Sequence, residues 1–305
     1  MQRFKNILFV ADTPTASEAS FGRAVQLART NKAKLTVISV QRELDHKQPN
    51  LQDEIVRDQR ERLVDLVRRF DTKGVNVKTE VLIGIPFVEI IRKVLSGNHD
   101  LLVKSAEGPG GLGRILFGST DWHLMRKCPC PVWIIKASRR KKVSRILAAV
   151  DPIPGAGANV ELNKLILDLA TSLVEREKCR LHVVHAWSVP GEKAIRSGRI
   201  QMHRSDRERY EREIRKAHKK WLSELMEEYG LDGDHAKVHL LKGDPAEVIS
   251  RVAAKANVEL VIMGTVARTG VPGFLIGNTA EKTLGRLNCS VLTVKPRSFE
   301  TPIEL

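Results

Sequence analysis

The segment Val81-Leu-Ile-Gly-Ile-Pro86 is matched 159 positions later by Leu240-Leu-Lys-Gly-Asp-Pro245. Other segments keep this spacing without gaps, and the matched pairs begin at Asp100 and Glu259, at Phe117 and Ile276, and at Cys130 and Cys289. The front of the chain repeats at a smaller spacing of 139, because the segment ending at Asp12 matches the one ending at Asp151. An internal repeat of this length indicates two copies of one domain, which we place at residues 1–138 and 143–305.

Short apolar runs alternate with longer amphipathic segments inside each copy. In the first copy the apolar runs are Ile7–Ala11, Leu35–Val40, Val75–Leu82, Leu101–Lys104 and Val132–Lys136. Such runs, rich in Val, Ile and Leu, are typical of strands covered on both faces. Regular alternation with helices predicts right-handed crossovers and a parallel sheet. We therefore expect two tandem Rossmann-like α/β domains, each with a five-stranded parallel sheet of order 3-2-1-4-5 and helices on both faces.

This topology also predicts where a ligand would bind. In open α/β sheets, ligands bind beyond the carboxyl ends of the strands, at the point where the strand order reverses. For the expected order that point lies between the first and fourth strands. It involves the loops after Ala11 and Lys104 in the first copy, and after Val150 and Met263 in the second.

Glycine-rich segments follow the fourth strand of both copies and lead into a helix. Glycine lets backbone N–H groups approach a ligand closely, and a helix N-terminus attracts anions, so such a segment suits a phosphate chain. The candidate residues of the first copy are Gly108, Gly118, Ser119 and Thr120. Those of the second copy are Gly264, Gly277, Asn278 and Thr279.

The spacing Gly-x2-Gly-x9-Gly-Ser/Thr of these segments resembles the ATP-binding signature of the universal stress protein family, in its tandem-domain form. The resemblance implies that Asp12 and Asp151, which end the first strands, lie near a nucleotide. It also implies that the backbone at Val40 and Ala186 meets the adenine. Neither copy carries the full signature: Ser105 replaces the first glycine of one copy, and in the other Ala267 and Asn278 replace the second glycine and the hydroxyl residue.

A second interpretation of several of these residues is structural. An aspartate after a strand commonly caps a turn, and the residues following Asp12 and Asp151 include Pro14 and Pro152. Gly84 and Gly243 mark the turn into the third helix of each copy, which Pro86 and Pro245 begin.

The family resemblance implies a non-catalytic, cytoplasmic protein that helps cells to survive stress such as starvation or DNA damage, with ATP as its cofactor. It further implies that the two copies form an intramolecular pseudo-dimer, in which the last strands pair, with a higher homo-oligomer as an open alternative. The sequence shows no nucleophile elbow, Walker A loop or paired acid and base, which favours binding over catalysis.

Two other classes of function stay open. The incomplete glycine signatures are compatible with a sensor or carrier of an apolar, non-nucleotide ligand. The net charge of +15 is compatible with nucleic-acid association, although the excess is spread: residues 1–141 hold 25 Lys and Arg against 15 Asp and Glu, and residues 142–305 hold 26 against 21.

Composition argues against metal and membrane functions. Four cysteines in 305 residues do not form a zinc motif or a disulfide framework, and Cys128 and Cys130 are interpreted as small buried residues. No apolar stretch approaches the length of a membrane span, and the N-terminus is interpreted as a first strand rather than a signal peptide. We expect no metal site and no membrane partner.

Overall fold

The structure is a computed structural model that describes residues 4–12, 14–44, 49–106, 117–136, 143–155, 157–231, 233, 235–265 and 277–305. Contacts between residues divide the chain into two compact units. The first unit holds Met1–Lys142, Thr265–Gly277 and Asn288–Leu305. The second holds Val143–Gly264 and Asn278–Leu287. Both are α/β units, as the alternation of apolar runs predicts.

The first unit is built from a sheet with helices between its strands. Its strands are β1 (Asn6–Val10), β2 (Lys34–Gln41), β3 (Val77–Ile83), β4 (Leu101–Ser105) and β5 (Val132–Ile135). Its helices are α1 (Pro14–Asn31), α2 (Pro49–Arg68), α3 (Pro86–Ser96) and α4 (Ser119–Lys127). The strands β3, β2, β1, β4 and β5 lie side by side in that order and are parallel.

The second unit repeats the plan, with one more helix among its described residues than the first unit has. Its elements are β6 (Arg145–Ala149), α5 (Gly157–Glu177), β7 (Arg180–Trp187), α6 (Glu192–Arg196), α7 (Arg204–Glu228), β8 (Ala236–Lys242), α8 (Pro245–Lys255), β9 (Leu260–Gly264) and α9 (Asn278–Leu284). The strands β9, β6, β7 and β8 are neighbours in that order and parallel. The short helix α6 lies in the segment that makes the second copy longer than the first.

The last strand of the chain, β10 (Ser290–Val294), belongs by its contacts to the first unit. It pairs antiparallel with β5, with Val291 opposite Ile134 and Thr293 opposite Val132. The backbone N–H of Lys136 also donates to the Ser290 hydroxyl at 3.0 Å. The first unit therefore combines a parallel sheet with one antiparallel strand contributed from the far end of the sequence.

The third strand begins later than its apolar run predicts. The run starts at Val75, but β3 starts at Val77. Gly74 has a φ of 78°, and the N–H of Val75 donates to the carbonyl of Thr72 at 2.9 Å. This tight turn uses the backbone donor of Val75 and keeps it out of the sheet, so the expected boundary is corrected by two residues.

The turns that lead into α3 and α8 require glycine. Gly84 and Gly243 have φ angles of 140° and 145°, a region that side chains with a Cβ rarely adopt. Each turn is followed by a proline at the start of the helix, as the sequence predicts. In the second unit Asp244 caps α8, because its side chain accepts the N–H of Glu247 at 3.2 Å.

The strands carry the buried core of each unit, since β4 and β5 are buried along their whole length and β6 in its middle. Every helix in the described part of the chain is too short or too polar to span a bilayer.

Candidate functional site

Three charged residues meet at the carboxyl ends of β1 and β4 in the first unit, and we call Asp12, Lys104 and Asp121 the Lys104 cluster. Lys104 is the fourth residue of β4, and its side chain is completely buried. Its ammonium group pairs with the carboxylate of Asp12 and lies 2.9 Å from Oδ1 of Asp121. The cluster therefore joins the ends of two strands to helix α4 at the point where the strand order reverses.

Asp121 also fixes the start of α4. Its second carboxylate oxygen, Oδ2, accepts the backbone N–H of Gly118 at 3.2 Å. Gly118 is the residue before the helix, and its backbone is extended, with a φ of −70°. One buried carboxylate thus satisfies both a lysine and an end of the helix that would otherwise lack a partner.

The electrostatics of the cluster depend on complete pairing. A buried ammonium group loses its hydration and is tolerated only when carboxylates or other acceptors replace the water. Lys104 has two carboxylate partners and a third acceptor, the carbonyl of Ser105 at 3.2 Å. The Asp12 side chain keeps 28% of its surface exposed, whereas Asp121 keeps none. Asp12 is therefore the member of the cluster that a ligand from solvent would reach.

The equivalent place in the second unit is built without a lysine. Asp151 follows β6, and the side chain of Asn163 binds its backbone N–H at 2.8 Å and its carbonyl at 2.7 Å. Residues Met263 and Ala280 stand where the repeat of 159 places Lys104 and Asp121. Both are buried. The two units thus keep the aspartate after the first strand and differ at the positions of Lys104 and Asp121.

Gly264, the first glycine of the signature in the second unit, has a packing role. A Cβ at this position would lie 2.4 Å from Cδ2 of Leu162 in α5, which is far inside van der Waals contact. Glycine therefore allows helix and strand to approach closely here. In the first unit Ser105 occupies this position, and its hydroxyl lies 2.5 Å from that of Ser20 in α1.

The backbone positions assigned to adenine are equivalent in the two units. The N–H of Ala11 donates to the carbonyl of Ile38 at 2.8 Å, and the N–H of Val150 donates to that of Val184 at 3.0 Å. Val40 and Ala186 each lie two residues beyond these acceptors, and both are half-buried. The second-strand positions that the resemblance pairs are therefore matched by register as well as by sequence.

A buried histidine pair lies beside Ala186. Nε2 of His185 is 2.7 Å from Nδ1 of His218 on α7, and Nδ1 of His185 is 3.3 Å from the carbonyl of Val150. The ring of His218 also contacts Trp187 and Trp221. Burial, together with the neighbouring His218, lowers the pKa of His185 to about 4, so this ring is neutral at pH 7.

The remaining candidate residues stand at the starts of α4 and α9. Ser119 is exposed and Thr120 partly buried, as the first two residues of α4. Asn278 and Thr279 are both exposed and begin α9. The N–H of Gly277, the residue before α9, donates to the carbonyl of Thr265 at 2.8 Å. Gly108 and Ala267, which complete the signatures, lie outside the described residues.

Sequence reasoning missed Lys104, Asp121, Asn163, His185 and His218. Only Lys104 carried a readable signal, because it is a charged residue within the otherwise apolar run Leu101–Ser105. No described group of three or more His, Cys, Asp or Glu side chains is arranged to hold a metal ion.

Comparison with known proteins places both units in one family. The sequence profile of the universal stress protein family matches residues 3–136 and again residues 142–295. Universal stress protein E of Escherichia coli strain K12 is 34% identical over 221 residues, which cover 72% of this chain and 68% of that protein. The protein of the same name from Photorhabdus laumondii is 29% identical and covers 100% of this chain and 99% of its own.

A solved structure agrees with this result. A crystal structure from Pseudomonas aeruginosa that is assigned to the universal stress proteins superposes with a TM-score of 0.72 at 26% identity. The match covers 97% of this chain and 95% of that one. With two profile matches that together span most of the sequence, the chain belongs to the universal stress protein family.

Proposed function

We propose that this protein acts in the stress response by binding an adenine nucleotide, with ATP as the first candidate, at the carboxyl ends of the first and fourth strands of one or both units. Family membership and relatives named universal stress protein E support the stress role. Binding rather than catalysis is part of the proposal, because the sequence offers no nucleophile with an adjacent base.

One observation carries the nucleotide proposal. In the first unit the partly exposed carboxylate of Asp12 and the start of α4 converge on Lys104, between the ends of β1 and β4. An acidic side chain there can accept hydrogen bonds from ribose hydroxyls, and a helix start supplies backbone donors for phosphate. These are the two kinds of contact that a nucleotide needs.

The two units offer this site in different forms. In the first, Lys104 pairs with Asp12 and competes with a ribose for its oxygens. In the second unit the position equivalent to Lys104 is Met263, so the lysine that pairs with Asp12 has no counterpart beside Asp151. The second unit, however, starts its helix with Asn278 in place of a hydroxyl residue. The proposal therefore requires a test that reports on each unit separately.

The test is calorimetric titration of the whole chain with ATP, after mass spectrometry has identified any co-purified ligand. Ser119→Asp and Asn278→Asp place a carboxylate at the first residue of α4 or α9. A carboxylate stabilises a helix start and repels a phosphate, so each variant is expected to fold and to lose binding in its own unit. Ser205→Asp, near the start of the exposed helix α7, is the matched control.

Binding that Ser119→Asp or Asn278→Asp abolishes, and Ser205→Asp leaves intact, supports the proposal and names the unit. If a nucleotide-free protein releases no heat with ATP, or if both site variants bind as the control does, nucleotide binding at these positions is wrong.

We further propose that the fused repeats form an intramolecular pseudo-dimer, in which the two repeats of one chain pair as two separate single-domain chains would. The antiparallel pairing of β5 with β10 supports this, since these are the last strands of the first and second sequence repeats. Covalent linkage keeps the two strands at high effective concentration. Light scattering that shows one chain per particle, at dilutions where a homodimer would dissociate, is the expected result.

A further inference from the structure

A basic pocket lies at the amino-terminal edge of the sheet in the second unit, and we call it the edge pocket. Its volume is about 840 Å³, and it is lined by the first residues of β6, β7 and β8 and by the last turn of α8. The candidate nucleotide site lies at the other ends of these strands. Since β7 runs over eight residues, the two places are separated by roughly 20 Å.

Among the described residues, the lysine, arginine, aspartate and glutamate side chains that line the edge pocket are all of one sign. Its cationic side chains are Arg145, Arg180, Lys237, Arg251 and Lys255. No aspartate or glutamate is among the described residues that line it. Within the described part of the chain, none of these five cations is within ion-pair distance of a carboxylate. No direct ion pair with a described residue therefore offsets the repulsion between these five side chains, and the carboxylate of Glu259 accepts from Arg145 only the backbone N–H.

The basic residues of helix α7 show the ordinary arrangement for comparison. There Arg204 pairs with Glu208, and Arg209 pairs with Asp206, along an exposed helix. Acids that alternate with bases indicate a solvated face. The edge pocket lacks this alternation, so solvation of a mixed surface does not explain it.

Helix capping accounts for only part of the cluster. Arg251 and Lys255 lie near the carboxyl end of α8, where cations interact favourably with the helix dipole. Arg145, Arg180 and Lys237 lie in three different strands and have no such role. Their convergence on one cavity is the observation that calls for a ligand.

Two stacked histidines also line the edge pocket, next to its cations. His182 and His239 are parallel within 8°, with Nδ1 of the first 3.0 Å from Nε2 of the second. Burial lowers the pKa of His182 most, and His239, Lys237, Arg145 and Arg180 lower it further. Burial and Lys237 likewise lower the pKa of His239. The charge of Lys237 therefore acts on both rings.

The first unit has different residues at the equivalent positions. The strand registers place Lys78 and Glu80 where the second unit has Lys237 and His239. Glu80 pairs with Lys93 at 2.5 Å, so the first unit has an acid where the second has His239. The first unit therefore provides an internal comparison in which the same fold carries an acid at this place.

We propose that the edge pocket binds a small ligand with at least two phosphate groups. Guanidinium groups match phosphate oxygens in pairs, and three arginines line the cavity. A volume of about 840 Å³ exceeds what one phosphate fills and is within the usual range for small-molecule sites. This site is separate from the proposed nucleotide site and does not depend on it.

The test is calorimetric titration of the full chain with inorganic tripolyphosphate at low salt. Arg180→Gln/Lys237→Gln removes two exposed cations of the pocket and is expected to weaken binding at least about tenfold. Arg212→Gln/Lys216→Gln removes the same charge from exposed positions on α7 and is expected to bind as the original chain does. Equal thermal unfolding of the two double variants shows that the fold is kept.

Further arms identify the site and the ligand class. The Ser119→Asp and Asn278→Asp variants are expected to bind tripolyphosphate unchanged, which separates the edge pocket from the nucleotide site. Inorganic monophosphate is expected to bind more weakly. The proposal is overturned if tripolyphosphate does not bind, if both double variants weaken alike, or if only a single-stranded oligonucleotide binds, since that would indicate nucleic acid.

Discussion

Lys104 and Asp121 form an ion pair in which neither side chain retains any solvent-exposed surface, with Nζ of the lysine 2.9 Å from Oδ1 of the aspartate. The second sequence repeat has Met263 and Ala280 at these two positions. The same fold therefore accepts either a charged pair or an apolar pair at this point. A combination that keeps Asp121 but replaces Lys104 would leave a buried carboxylate without its lysine partner.

This relationship predicts how single and double substitutions differ. Lys104→Met leaves the buried carboxylate of Asp121 without its cation and is expected to destabilise the protein by about 3–5 kcal/mol. Lys104→Met/Asp121→Ala installs the pair of the second repeat and is expected to recover most of that loss. Denaturant unfolding of the original chain and the two variants measures both. A single variant as stable as the original chain would contradict the role given to the pair.

Gly264 is expected to tolerate no side chain while Leu162 is present. Gly264→Ala forces a Cβ against Leu162 and should cost about 1–3 kcal/mol in the free energy of unfolding. Leu162→Ala, added to it, should relieve part of the overlap. Gly155→Ala is the control, since a Cβ there meets nothing within 4 Å. If Gly264→Ala unfolds like the control but changes ATP binding, the glycine serves a ligand and not packing.

Gly243 tests the backbone requirement at the start of α8. Its φ of 145° disfavours any residue with a Cβ, and the added atom would lie 3.2 Å from Cγ2 of Val248. Gly243→Ala is expected to cost about 1–3 kcal/mol, measured by denaturant unfolding. At Gly233 the structure leaves open space for a Cβ, so Gly233→Ala is expected to change the free energy of unfolding by only a few tenths of the effect at Gly243. Equal effects at the two positions would show that the turn has other conformations available.

The histidine pair beside Ala186 predicts a loss of stability in acid. The pKa of His185 is about 4 in the folded protein and about 6.5 when unfolded, so the unfolded chain binds more protons between these values. With respect to this group the free energy of unfolding is highest above pH 6.5, and it decreases as the pH falls towards 4. From the size of the shift we expect a loss of about 2–3 kcal/mol over this range.

His185→Gln should flatten that part of the pH profile, whereas the exposed His203→Gln should not change it. Unfolding free energies measured from pH 7 to pH 4.5 give the comparison. The same slope in all three proteins would mean that His185 titrates normally.

The fold could be predicted because its signals are local. The apolar runs mark the strands, and the glycine, proline and aspartate at positions 243–245 mark a helix start with a specific backbone requirement. Because the sequence is repeated, each inference from a local pattern in one copy could also be made for the other. The strand boundaries of the first unit differed from the apolar runs by no more than two residues, most of all at the start of β3 at Val77.

The site could be predicted less well because its side chains meet through tertiary contacts. Asp12 and Asp151 were found from their places after strands, but the partners that hold them were not. Lys104 contacts a residue 17 positions away, and Asn163 reaches Asp151 from within a helix. The role of Gly264 depends on Leu162, which lies about a hundred residues earlier. A glycine that admits a neighbouring helix and one that admits a phosphate look alike in a sequence.

The antiparallel pairing of β5 with β10 has a consequence for synthesis of the protein. The first unit includes a strand, β10, that leaves the ribosome only after the preceding strands and helices of the second repeat have been translated. Until then β5 pairs with β4 on one side, and its other edge lacks the partner that it has in the finished protein. An unpaired strand edge can pair with another chain. The protein is therefore expected to aggregate most readily during translation and when the chain is truncated before β10.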